Sequence, residues 1–359
     1  MGLLHSIKKS VIRRSIIKRK ETGGGFDVDA ADNFVIPPDA PDGYNDSHYF
    51  TLHNFNSGEC LYWRLGRRGG AEDDEVWLVY RDSRGAVYVA ESDKIAKGAK
   101  LPARVECVEA GKTLKFHYDG KVKKAGADGK TALIYGGGEL VDFKLDGEFS
   151  GTGDCFEFTH HLSAETLANA LAREKFSNLK AFRAVHQTHY EQAGTASAKI
   201  DIGGKKISLD GFSCVRDHSY GVREWNYFDR YVWNIILLQN GDLMHVSFIR
   251  YPSVRNLKAG FYMSGNSCKS ILDATPLDDI PATGSVPDSF GFDVTMIDGE
   301  KKRVECKLDF VCPFKFKGDF SCNEGVAEFY VDGVRGRGIA EFAYNKDVSR
   351  WRPLNKSGK

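Results

Sequence analysis

The sequence lacks long hydrophobic runs, an excess of either charge, and closely spaced cysteines. Its longest uninterrupted apolar stretches are only a few residues, as in Ile235 to Leu238, whereas a membrane-spanning helix needs roughly 20. The chain therefore reads as a soluble body. Lys plus Arg number 50 against 49 Asp plus Glu, a formal charge of +1. No overall field draws it toward a polyanion, so no nucleic-acid partner is expected. The eight cysteines, Cys60, Cys107, Cys155, Cys214, Cys268, Cys306, Cys312 and Cys322, are scattered, with no Cys-x-x-Cys pair and no secretory apolar segment ahead of them. That pattern suits reduced thiols in the cytoplasm and argues against a disulfide scaffold or a structural zinc site.

Over 359 residues, 42% of them apolar, the chain can bury a sizeable core and is closer in length to two domains than to one. The first twenty residues stand apart, holding Lys8, Lys9, Arg13, Arg14, Lys18, Arg19 and Lys20 and no acid. Met1-Gly2-Leu3-Leu4-His5-Ser6 fits the N-myristoylation pattern, with Gly2 as the acceptor after methionine removal. One acyl chain binds a membrane weakly, and an adjacent basic cluster supplies the second anchor. The segment is thus expected to meet an anionic membrane surface. A mitochondrial presequence and a basic tail without a partner remain alternatives.

Glu21-Thr22-Gly23-Gly24-Gly25 separates this segment from the rest. Beyond it, hairpin signals recur at Asp119-Gly120, Asp128-Gly129, Asp146-Gly147, Asp210-Gly211, Asp298-Gly299 and Asp332-Gly333, and at Gly203-Gly204 and Asn240-Gly241. Period-two segments flank several of them, most clearly Ile200, Ile202, Ile207 and Leu209. Ser163 to about Ala184 has helical spacing, with Ser163 as N-cap and Glu165 in the first turn. The expected fold is all-β: two antiparallel barrels or sandwiches joined by one helix, after a short basic N-terminal segment. The expected boundaries are 1–25 for the anchor, 26–162 for the first domain, 163–185 for the helix and 186–359 for the second domain.

Val215 to Trp225 is the densest stretch chemically, packing Arg216, Asp217, His218, Arg223 and Glu224 with Tyr220 and Trp225. In an extended chain Arg216 and His218 share one face and Asp217 takes the other, until Gly221 lets the backbone turn. After that turn Arg223, Trp225, Tyr227, Asp229, Tyr231 and Trp233 would share a face, an aromatic wall set with a carboxylate and a guanidinium. A hydrophobic small molecule requires such a lining, and a desolvated Asp217 could serve as a general acid.

Asp210-Gly211-Phe212, Arg216-Asp217-His218-Ser219-Tyr220-Gly221 and Arg223-Glu224-Trp225 resemble the signature of the lipocalin-like superfamily that includes carotenoid 1,2-hydratases, or hydroxyneurosporene synthases. The resemblance implies related two-domain folds in fungal decalin-forming Diels-Alderases, and the same signature is similar to that of an uncharacterised domain of animal phosphoenolpyruvate-synthase-like proteins. Ser47-His48-Tyr49-Phe50 and Leu65-Gly66-Arg67-Arg68 are similar to that superfamily's N-terminal barrel, and Gly336 to Glu341 to its closing strand. Tyr220 and Glu224 depart from the Trp and Asp more common there. The resemblance implies two lipocalin-like domains and a pocket for an isoprenoid, polyketide or lipid-like ligand. It further implies catalysis, where present, by Asp217 as acid with Arg216 and His218 orienting it, and a ligand lined by Tyr220, Arg223, Trp225, Tyr227, Asp229, Tyr231, Trp233 and Glu341. A cofactor-independent hydratase, isomerase or cyclase, a carrier, and an interaction scaffold all stay open.

Weaker signals are set aside. His186, His189 and Glu191 suggest a metal site, but His186 faces away from the other two on a strand, so no metal is expected. The pair His160-His161 is treated likewise. The glycine-rich pieces at Gly136 and Gly333 lack the strand-then-helix setting and the lysine of a phosphate loop, so no nucleotide cofactor is expected.

Overall fold

The computed structural model describes residues 3–175, 187–222, 227–265, 267–275, 277, 286–316 and 320–347. Two compact units emerge, one of residues 26–159 with 186–223, the other of residues 1–25, 160–185 and 224–359.

In the first unit the strands are β1 Tyr44–His53, β2 Cys60–Arg68, β3 Asp74–Arg81, β4 Val87–Ala90, β5 Lys94–Ile95, β6 Ala103–Glu109, β7 Thr113–Lys124, β8 Gly126–Asp128, β9 Thr131–Leu133, β10 Leu140–Gly151, β11 Phe156–Glu157, β12 Gln187–Ile202 and β13 Lys205–Val222. Eight of them pair antiparallel in the order β10-β12-β13-β1-β2-β3-β4-β7, and β7 returns to β10, closing a barrel. The alternation of β10 shows why: Phe143, Leu145 and Phe149 are buried while Lys144, Asp146 and Glu148 are exposed. Phe50, stacked on Phe116 at 4.6 Å, fills the interior with Trp63 and Phe149. Gly147 is required beneath them, since a Cβ there would lie 2.3 Å from the Phe116 ring. A short helix, Val28–Asp32, is N-capped by Asp27, whose carboxylate accepts from the Ala30 amide at 3.1 Å.

The second unit contains β14 Arg230–Leu238, β15 Leu243–Arg250, β16 Leu257–Ser264, β17 Ser267–Ala274, β18 Ser289–Met296, β19 Lys301–Lys315, β20 Phe320–Val331 and β21 Val334–Asn345. They pair in the order β18-β17-β16-β15-β14-β21-β20-β19, and β18 also pairs with β19, making a second closed antiparallel barrel. Val232, Ile236, Met244, Phe292, Val304 and Phe329 belong to its core. The fold is therefore all-β with two barrels, as expected. The anticipated Gly203-Gly204 and Asn240-Gly241 hairpins are both present, with φ of 57° and 87° in the first and 91° at Gly241.

Two boundaries differ from expectation. The β12–β13 hairpin, expected in the second domain, lies in the first barrel because β13 pairs with β1 from Tyr44↔Val222 to His53↔Ser213 and β12 pairs with β10. The first barrel is thus discontinuous in sequence. The helix expected over 163–185 is Ala164–Leu171, capped by Ser163, whose hydroxyl accepts from the Glu165 amide at 3.1 Å; residues 176–186 lie outside the described residues.

The basic N-terminal segment forms a helix over Leu3–Thr22 and belongs to the second unit. Lys9 and Arg13 pair with Glu165, Lys8 donates to the Glu174 carbonyl, and Lys20 donates to the carbonyls of His160 and Leu162. Part of its charge is therefore neutralised within the protein. Gly2, the expected lipid acceptor, lies outside the described residues. No described helix is long and apolar enough to cross a membrane.

Candidate functional site

In β13, alternation turns Phe212, Cys214, Arg216 and His218 toward the barrel interior. Phe212 and Cys214 join the apolar core, and Arg216 and His218 continue their row as buried polar groups. Arg216 Nη1 and Nη2 meet Asp32 Oδ1 and Oδ2 at 2.5 and 3.1 Å, a two-pronged pairing suited to guanidinium and carboxylate. Its Nε donates to Gln192 Oε1 at 2.7 Å. The Gln192 amide nitrogen donates to the Gly111 and Gly153 carbonyls at 2.7 and 2.6 Å, which aims the oxygen at Arg216. The guanidinium also lies over the Tyr190 ring, 5.2 Å from its centre.

The chain of polar contacts continues from Asp32. Tyr190 donates its hydroxyl to Asp32 Oδ1 at 2.5 Å and contacts His218 Nδ1 at 2.7 Å. His218 Nε2 lies 2.9 Å from Asp46 Oδ1, and Arg67 binds the other oxygen of Asp46. Burial pushes the Asp32 carboxyl up, but the hydrogen bond and charge of Arg216, helped by Tyr190 and the Gly111 amide, outweigh it and leave it below its ordinary value. Burial, opposed by Arg216 and reinforced by Asp32, holds the Tyr190 phenol well above its usual range.

Asp217 faces the other way. Its register neighbours are Tyr49 on β1 and Glu191 on β12. His189 Nε2 contacts Asp217 Oδ2 at 2.6 Å, and the half-buried Phe158 ring lies parallel to His189 with centroids 4.6 Å apart. Phe156 pairs with Glu191 across β11 and β12 and packs edge-on to Phe158 at 5.2 Å. Two carboxylates and an imidazole thus share an aromatic-lined outward face. The side chains of His189 and Asp217 retain 21% and 17% exposure.

The expected orientation of Asp217 by Arg216 and His218 is corrected: a strand without a turn between these residues sends them to opposite faces, and His189 is the partner of Asp217. Tyr220, expected to line the ligand, stacks on Phe34 at 4.1 Å. Arg223 and Trp225 lie outside the described residues. Tyr227, Asp229, Tyr231, Trp233 and Glu341 belong to the second unit. There Tyr227 shares a 2.6 Å hydrogen bond with Ser253, and Asp229 lies 4.0 Å from Arg250. Tyr231 and Trp233 do share a face, in a row with Phe228 and His245. Glu341 stands directly across from Trp233 and accepts from the Tyr231 hydroxyl and the Cys322 thiol.

Asp32, Asp46, Tyr190, Gln192 and His189 are the site residues that sequence reasoning left out. Only His189 carried a usable signal, its two-residue spacing from Glu191. Among the described residues, three groups of side chains have the donor types and closeness to hold a metal: Asp46, His48 and His218; His189, Glu191 and Asp217; and Cys322, Glu324 and Glu341.

No curated protein matches the chain in sequence. Solved structures do. A Nitrosomonas europaea protein assigned as an AttH aligns at 12% identity and a TM-score of 0.53 over 90% of this chain and 98% of that one. Kievitone hydratase from Nectria haematococca aligns at 8% identity and 0.52, over 89% and 96%. CghA with Sch210972 aligns at 10% identity and 0.51, over 87% and 93%. At such identities the likeness is one of fold alone, an all-β architecture in two units. A family model described as a domain of unknown function, DUF7064, matches residues 29–346, and the chain belongs to that family.

Proposed function

We propose that the protein binds a hydrophobic small molecule of the isoprenoid or polyketide kind and adds or moves a proton on it without a cofactor. The observation that carries this reading is the 2.6 Å His189–Asp217 contact, partly accessible, beside Glu191 on an aromatic-lined face. A proton held between His189 Nε2 and Asp217 Oδ2 is placed for transfer to a substrate carbon or carbonyl oxygen. In a hydration, that proton goes to one alkene carbon, water adds to the other, and the surplus proton of the water returns to the pair. Phe158, stacked on His189, presents ring surface to a developing cation. The interior of the first barrel is filled by Phe50, Trp63, Phe116 and Phe149, which favours the outward face over the lumen. Among proteins of similar fold, one is named for hydrating kievitone and another was crystallised with Sch210972, both consistent with small-molecule chemistry on this scaffold.

The test is mass spectrometry of organic extracts from the purified full-length protein, followed by incubation of the recovered class of compound in deuterated water. Deuterium uptake by wild type, lost in Asp217→Asn while the compound still co-purifies, is the expected result. Uptake unchanged in Asp217→Asn overturns the acid–base assignment; binding without any uptake leaves a carrier.

A second reading concerns the membrane. Leu4, Ile7 and Val11 are 84%, 53% and 58% exposed at helical spacing on the N-terminal helix, with basic residues around them. We infer that this stripe rests on an anionic bilayer. Ile7→Asp should abolish co-flotation with phosphatidylserine vesicles; flotation unchanged by that substitution excludes the stripe.

A further inference from the structure

The outward face of the first barrel carries a second charged group besides the His189–Asp217 pair. Strand register places Glu191, Asp217, Tyr49, Arg64 and Trp77 in one cross-strand row through β12, β13, β1, β2 and β3. The next row on the same face runs from His189 through Ser219, Ser47 and Gly66 to Glu75. Its three middle positions hold small side chains, so the face is low between His189 and Gly66, a span of three strand spacings or about 14 Å.

Arg64 closes the far end of that span. Its guanidinium lies against Gly66, where a Cβ would stand 3.1 Å from both Nη atoms, and over the Trp77 ring, 4.7 Å from its centre. Nη1 donates to Glu75 Oε2 at 2.7 Å. Both oxygens of Glu75 are already engaged, since Arg68 donates to Oε2 at 2.5 Å and Lys94 donates to Oε1. The neighbouring Asp74 is held by Lys97 and by the Arg68 amide. Arg64 Nη2 is thus buried and, among the described residues, has no hydrogen-bond partner, on a side chain only 7% exposed. The Trp77 ring meets the face of the planar group, whereas the Nη2 hydrogens lie in its plane and call for an acceptor.

We propose that Arg64 Nη2 binds an anionic oxygen of the substrate, so that the molecule taken by this face is an unsaturated apolar acid, with its carboxylate at Arg64 and its body lying toward His189 and Asp217. The inference rests on His189 and Asp217 as the reactive pair and gives that reading its substrate class. A guanidinium is the side chain best suited to a carboxylate, because its donors are fixed in one plane and its charge is permanent. Charge also sets the direction of binding. Asp217 and Glu191 at one end of the row repel an anion, while Arg64, Arg68 and Lys94 at the other draw it. The strands that carry Asp217 and Arg64 are two spacings apart, about 9.5 Å. The carbon that meets the pair is therefore remote from the carboxylate rather than next to it.

The test is calorimetric titration of the full-length protein at neutral pH with geranic and farnesoic acids and, for comparison, their methyl esters. Wild type should bind at least one acid roughly tenfold or more tighter than its ester, the gain expected of a charge-assisted hydrogen bond. Arg64→Gln should remove that preference and leave ester binding unchanged. Gly66→Ala, which crowds the guanidinium without removing its charge, should weaken acid binding alone, and circular dichroism checks that both variants are folded. Asp217→Asn should keep the preference. Binding is thereby read apart from turnover: loss of deuterium uptake with the preference intact strikes the reactive pair, and uptake without any preference strikes the role of Arg64. Folded wild type that binds neither acid, equal affinity for acid and ester, a preference that survives both Arg64→Gln and Gly66→Ala, or one lost in Asp217→Asn would each overturn the assignment.

Discussion

Arg216 and Asp217 are adjacent in the chain and opposed in the fold: the guanidinium of one is clasped by Asp32 inside the first barrel, and the carboxylate of the other meets His189 outside it. The separation follows from strand geometry alone, since β13 runs without interruption through both. It splits the densest motif of the sequence into an inner buried network and an outward, partly exposed pair of His189 and Asp217.

The inner half should be mainly a matter of stability. Asp32→Ala would leave the Arg216 guanidinium buried without its carboxylate, with Gln192 and the Cys155 sulfur as its remaining side-chain hydrogen-bond partners among the described residues. Losing one partner of a buried pair costs about 3–5 kcal/mol. Asp32→Asn, which keeps a hydrogen-bonding oxygen, should cost less. Urea unfolding of the two variants reads this order directly, and equal midpoints for wild type and Asp32→Ala would contradict it.

Acid should destabilise the first barrel through two carboxylates. Burial alone would raise Glu75, but Arg68, Arg64 and Lys94 outweigh it and hold the carboxyl far below its ordinary 4.5; Asp32 is likewise held below 3.8. The hydrogen bonds are in place, 2.7 Å from Arg64 and 2.5 Å from Arg68 to the same Glu75 oxygen. Each group binds its proton more readily in the unfolded chain. Their stabilisation is therefore complete at neutral pH and drains away as pH falls from the unfolded values toward the folded ones. Chemical unfolding from neutral pH down to about pH 3 should show this decline. Glu75→Gln should start less stable and decline less steeply.

Much of the architecture was legible because its signals are local. Gly203-Gly204 and Asn240-Gly241 name their own turns, Ser163 names a helix start, and the alternation of Ile200, Ile202, Ile207 and Leu209 names a hairpin of the first barrel. Pairing across the sequence was not legible. Period-two alternation tells which face a residue takes but not which strand lies beside it, so β12 and β13 were placed with the strands that follow them. The same limit hid Asp32, which sits in a five-residue helix 184 positions from Arg216 with nothing nearby to mark it. It also hid the partner of His189: His186 was weighed because it was close in sequence, whereas Asp217 lies 28 residues on and meets it across a hairpin.

The pair His189 and Asp217 offers the most direct separation of chemistry from packing. If the two act as one proton-transfer unit, His189→Gln and Asp217→Asn should each remove nearly all turnover, and the double variant should be no slower than either single one. Independent contributions would instead multiply. Stability supplies the control, because both side chains are partly exposed. Coupling in unfolding free energy should stay at or below about 1 kcal/mol, as for other accessible ion pairs. A large stability coupling with unchanged turnover would make the pair a staple between β12 and β13. Small stability coupling with collapsed, non-additive turnover would mark it as the reactive group of the outward face.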